Sequence, residues 1–197
     1  MNRRLIAAIC ASAALAACGI GAPTRVIVHD GAPWETANGG AFARIGQQWT
    51  SVLPIPIFSQ SVHITGVTVE MVAGPPLKLG TVRMLQLPPY SSYTGSGLNP
   101  PTVLPSLITQ GGTLVDLSSV NVAPGKSPDL RIIVPISVSE HGCHHAQWVI
   151  HYRTRDGRTR VFKPRWFVVL TDVRLININF GECGVQVPER VLDSPPT

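Results

Sequence analysis

Acidic residues are scarce in this chain of 197, eleven against sixteen lysines and arginines. They are scattered, without the close pairs that acid-base hydrolysis uses. Local catalytic motifs are also missing: no His-Glu-x-x-His, no Gly-x-Ser-x-Gly, no Ser-x-x-Lys with its companions and no phosphate-cradling glycine loop. A triad gathered from distant positions leaves no such mark. A hydrolase is therefore kept as a lesser alternative to a noncatalytic protein. No stretch of twelve residues reads as an amphipathic helix without proline, glycine or a strong strand pattern, which excludes a helical bundle. No run of eighteen apolar residues occurs after the first eighteen positions, so no membrane-spanning helix is expected. Aromatic residues make up 6% of the chain. They are not interleaved with basic ones as a single-strand binder requires, so no nucleic-acid partner is expected.

What the sequence does have begins at its first residue. Met1-Asn2-Arg3-Arg4 is a short basic start, and Leu5 to Ala17 is an apolar stretch too short to span a bilayer. Together they read as a signal peptide. The stretch ends in Leu15-Ala16-Ala17-Cys18 and resembles the lipobox of a bacterial lipoprotein precursor. The resemblance implies that Cys18 becomes the first mature residue and carries acyl chains. Two or three chains anchor stably, at roughly 0.8 kcal/mol per buried methylene. The implied location is extracytoplasmic, on the bacterial cell membrane or outer membrane, with the bilayer as a partner through Cys18. Gly19 does not choose between the two membranes. Ordinary secretion after Ala14-Leu15-Ala16 or Ala11-Ser12-Ala13 is the alternative. The expected division is a signal peptide at 1–17, a lipidated tether and N-terminal segment at 18–44, a β-sandwich at 45–187 and a tail at 188–197.

Losing Arg3 and Arg4 with the signal peptide lowers the formal net charge from +5 to +3. Cys10 leaves as well. With Cys18 lipidated, Cys143 and Cys183 remain, each beside glycine and each after an apolar run. Outside the cytoplasm such a pair is expected to form a disulfide.

The mature chain reads as all-β. Strand-like runs cover 25–29, 47–53, 62–72, 77–87, 113–122, 130–138, 146–155, 158–170 and 173–180, separated by most of the eighteen prolines and eighteen glycines. About seven to nine such runs predict an antiparallel β-sandwich. Within it, Val122-Ala123-Pro124-Gly125-Lys126-Ser127-Pro128-Asp129-Leu130 and the alternating strand that follows resemble the middle hairpin of bacterial immunoglobulin-like modules. With Cys143 and the Trp148 strand, the stretch also resembles the extracytoplasmic domains of actinobacterial lipoproteins. That implies an immunoglobulin-like fold and carries no functional residues. The antibody pattern itself does not apply, because Trp148 lies five residues after Cys143 instead of between two inter-sheet cysteines.

Three features are candidate sites. His141, His144 and His145 surround Cys143, and imidazoles at that spacing suit copper or zinc if the loop curls. With Cys143 in a disulfide its sulfur is no longer a thiolate ligand, so no cofactor is the favoured expectation and the metal is the alternative. Arg155-Asp156-Gly157-Arg158 reads as a two-residue type I′ hairpin turn. That register sets Arg155 against Arg158 and Arg153 against Arg160. All four arginines then share one face, a candidate site for phosphate or carboxylate groups such as anionic head groups. Finally, the Pro/Tyr/Ser/Gly-rich segment 88–112 is either a recognition loop or unstructured. The functional expectation is a lipid-anchored, noncatalytic binding or interaction module whose partner is an envelope protein or a head group.

Overall fold

A computed structural model describes residues 26–29, 39–89, 97–99 and 103–172. The signal peptide, Cys18, Cys183, the 173–180 run and the 188–197 tail lie outside the described residues.

The chain forms an all-β sandwich whose two halves are each built on one long central strand. In the first sheet the centre is β11 (Leu130–Val138), which pairs on one edge with β3 (Gln48–Leu53). Its other edge is shared by β6 (Leu77–Leu79) and β7 (Arg83–Gln86). In the second sheet the centre is β12 (Cys143–Thr154), paired on one edge with β5 (Val62–Ala73). Its other edge is shared by β13 (Thr159–Phe162) and β14 (Phe167–Thr171). Each shared edge has a break, and each break has its own chemistry. Pro135, which has no N–H, sits opposite the first, where the Gly80 N–H donates to its carbonyl at 2.8 Å. At the second, the Trp148 N–H donates to the Trp166 carbonyl at 3.0 Å.

In immunoglobulin lettering, β3, β11 and β6/β7 occupy positions B, E and D, while β5, β12 and β13/β14 occupy C, F and G. The expected β-sandwich is therefore present, and among the described residues it has one departure from an all-antiparallel arrangement. β2 (Gly39–Phe42) joins the edge of β14 in parallel. Gly39-Gly40-Ala41-Phe42 shows no alternation, which is why the sequence placed it in the tether. The sheet thus begins ahead of residue 45.

The core follows from side-chain alternation. Residues 130, 132, 134, 136 and 138 of β11 meet residues 144, 146, 148, 150 and 152 of β12, all buried. β5 would lose phase against β12, but Thr65 and Val72 are extra residues at two bulges. Val62 and Ile64 on one side of the first bulge, and Val67 on the other, therefore all reach the core. Trp148 and Trp166 are the largest fully buried side chains.

The 88–112 segment is partly built into the sandwich. β8 (Gly97–Asn99) pairs with β3, and α1 (Val103–Thr109) packs Leu107 against Val52, Leu85, Leu87 and Ile133. This second apolar cluster explains why β11 is buried on both faces. Seven residues are too few to show a helical period, and Pro105 in the first turn, where it is tolerated, masks the helix further. Among the described residues, no helix is long and apolar enough to cross a membrane.

Candidate functional site

The candidate residues fall at opposite poles of the sandwich. At one pole β12 starts, immediately after the turn that carries His141. The sequence pattern starts this strand at Ala146 and leaves the histidines in a loop. The strand instead starts at Cys143, and adjacent strand residues point to opposite faces. His144 is consequently inside the sandwich, with no exposed surface. Its Nδ1 lies 2.8 Å from the Pro75 carbonyl and its Nε2 lies 3.0 Å from the Glu140 carbonyl, so each ring nitrogen faces a backbone acceptor of one of two turns. His145 projects the other way and packs its ring on Phe167, centroids 5.4 Å apart. His141 is turned to solvent and bonds through Nδ1 to the Asp172 carboxylate.

The three imidazoles therefore do not converge. Among the described residues, no group of three or more His, Cys, Asp or Glu side chains is placed to hold a metal ion. The structure does not bring His141, His144 and His145 together: strand alternation sends His144 and His145 to opposite faces, and His141 lies in the turn before the strand. Cys143 is disulfide-bonded, and its partner lies outside the described residues.

Asp172 is the residue at this pole that sequence reading missed. Its second carboxylate oxygen accepts the Gly142 N–H at 2.8 Å. That backbone bond, with His141 adding to it against the effect of desolvation, holds the carboxyl below its ordinary value. The only trace in the sequence is an acid directly after an apolar strand, which is an ordinary strand ending. Close by, Gly74 has φ +81°, and a Cβ there would lie 1.7 Å from the Cys143 carbonyl oxygen. The 74–76 turn is thus pressed onto the start of β12 and tied to it by His144.

At the opposite pole is the arginine hairpin, and its register differs from the sequence reading by one residue. The Gly157 N–H donates to the Thr154 carbonyl at 2.9 Å, and the Thr154 N–H donates to the Arg158 carbonyl at 3.0 Å. Gly157 has φ +79°. This is a three-residue loop ending in a left-handed glycine, not a two-residue type I′ turn. Tyr152 accordingly faces Arg160, and Arg153 faces Thr159. The expected single face of four arginines is corrected: Arg160 lies on the side of Tyr152, Arg153 lies on the side of Thr159, and Arg155 is in the loop. All four arginines remain exposed.

Two acids of this sheet are already engaged. Asp156 pairs with Arg158 at 3.3 Å and also accepts from the Thr154 hydroxyl. The hydroxyl foremost, with the Arg158 N–H and the guanidinium charges of Arg158 and Arg160 adding to it, lowers its pKa against the opposing effect of desolvation. Lys163 pairs with Glu70 at 2.5 Å. Among the described residues, no carboxylate is in ion-pair range of Arg153, Arg155 or Arg160.

The same pole receives the chain's N-terminal strand. β1 (Val28–His29) pairs with β4 (Ile57–Phe58), and the Ser59 N–H donates to the Ile27 carbonyl at 2.9 Å. Phe58 in turn packs on Tyr152, with ring centroids 5.1 Å apart. Its carbonyl accepts the Gly125 N–H at 2.9 Å. The entering chain, the Pro124-Gly125 turn and the hairpin are therefore neighbours.

Compared with protein-family models, with curated proteins and with solved structures, the chain has no match.

Proposed function

We propose that the chain is a lipoprotein precursor whose mature form is an extracytoplasmic, noncatalytic binding module of the bacterial envelope. It is held to the membrane by acylated Cys18. The observation that carries this reading is Leu15-Ala16-Ala17-Cys18, at the end of a signal-like start, ahead of a chain that folds as an immunoglobulin-like sandwich. Sandwiches of this type present loops and hairpins at their ends for contact with partners. The disulfide at Cys143 supports an oxidising compartment, and we assign its partner as Cys183.

Metabolic labelling with an alkyne fatty acid tests the reading. The wild-type protein is expected to take up label, and Cys18→Ala is expected to take up none. Equal label in both would end the lipobox interpretation. The mature protein's mass, measured after alkylation with and without reduction, reads the pairing from the same sample. Alkyl groups on Cys143 and Cys183 only after reduction are expected, and alkylation of Cys183 without reduction would refute that assignment.

A further inference from the structure

We propose that the pole bearing the arginine hairpin is a bilayer-facing surface that binds anionic lipid head groups. This inference rests on the lipid-anchor reading above and adds an orientation and a ligand class to it. Eight residue steps separate Cys18 from Val26. At about 3.6 Å per residue the intervening chain spans at most roughly 29 Å. Residues 26–29 enter the sandwich beside Phe58, which packs on Tyr152 of the strand that leads into the hairpin. The tether therefore holds this pole toward the membrane. The His141–Asp172 pole is a full strand away: β12 is twelve residues long, roughly 36 Å at about 3.3 Å per residue.

The groups at the near pole fit a surface of phosphates. Arg153, Arg155, Arg158, Arg160 and Lys126 of the neighbouring turn are exposed, and among the described residues the acids beside them are Asp129 and Asp156. Asp156 is occupied by Arg158 and Thr154. The one-residue change in hairpin register, which removes a flat arginine face, suits this role. Arg153 and Arg160 project from opposite faces of the sheet at the end where β12 turns into β13, with Arg155 in the loop beyond them, so an end pointed at head groups contacts phosphates on either face. Guanidinium forks match phosphate oxygens in pairs. Each basic residue brought near an anionic surface strengthens binding by roughly five-fold.

The test uses the lipidated mature protein in nanodiscs of phosphatidylcholine alone or mixed with phosphatidylglycerol. Arginine modification by phenylglyoxal is read peptide by peptide. Arg155 and Arg158 are expected to react several-fold more slowly in the anionic discs, and the protection should disappear at high salt because exposed charges are screened. Arg44, exposed at the other pole, is expected to react alike in both. Equal rates for Arg155 and Arg158 in the two discs overturn the proposal. In a second arm, R155S/R158S in solution should bind phosphatidylglycerol vesicles roughly 20-fold more weakly than the parent, and R155K/R158K should retain most of the binding. Unchanged binding by the serine variant also overturns it. Failure of the anchor reading shows separately, as entry of Cys18→Ala into discs to the same extent as the parent.

Discussion

The backbone N–H of Trp148 donates to the carbonyl of Trp166 at 3.0 Å, at the point where β13 gives way to β14 along β12. Both side chains are fully buried, so the jog in the sheet is filled by two indoles. Their Nε1 atoms have no hydrogen-bond partner among the described residues. What the rings contribute is therefore volume. Trp166→Ala is expected to lower unfolding free energy by about 3–5 kcal/mol, and Trp166→Phe to cost clearly less, since no indole hydrogen bond is lost. Urea denaturation of the two variants decides this. Equal losses would mean that the ring nitrogen matters after all.

Gly74 and Gly157 have nearly the same φ, +81° and +79°. A Cβ at Gly157 meets nothing within 4 Å, whereas at Gly74 it collides with the Cys143 carbonyl. Gly157→Ala is expected to cost only the left-handed penalty, about 1–2 kcal/mol. Gly74→Ala should cost measurably more, because β12 has to shift. Thermal melts that rank them the other way would contradict the packing of the 74–76 turn on β12.

Asp172 gives acid stability a specific source. Its native pKa is depressed by the Gly142 N–H first and by His141 next. A carboxylate whose folded pKa lies below its unfolded value, about 3.9 for Asp, stabilises the fold above that value. The contribution is lost as pH falls from about 4 through the lowered native pKa. Asp172→Asn should therefore reduce stability at neutral pH and flatten the decline below about pH 4. An acid-denaturation curve for the variant parallel to the parent's would show that Asp172 is not a source of that decline.

Much of the sandwich was legible because its strands carry their own period. Leu130–Val138 was read with the boundaries observed, and the paired apolar sets around the Thr65 bulge were both within one expected run. The hairpin was read to its turn but not to its register. Asp-Gly serves a two-residue type I′ loop and a three-residue loop with a left-handed glycine alike. Only the closing bond between the Thr154 N–H and the Arg158 carbonyl distinguishes them. The start of β12 was placed three residues late for a related reason. Cys143-His144-His145 shows no strand alternation of polarity, and it is pairing with β14, joined at His145 by β5, that assigns it to a strand. Asp172, the partner of His141, lies thirty-one residues away in sequence, and nothing local connects the two.

The two breaks along the central strands also bear on how the protein avoids its own kind. A gap between two short strands that share one side of a central strand leaves backbone groups of that strand open to the strand of another molecule. At Pro135 there is no donor with which to recruit one, and its carbonyl is already taken by Gly80. At Trp148 the donor exists but is spent on Trp166. Where copies crowd together such openings would seed cross-molecular sheets, and both breaks are closed to that growth from within the fold.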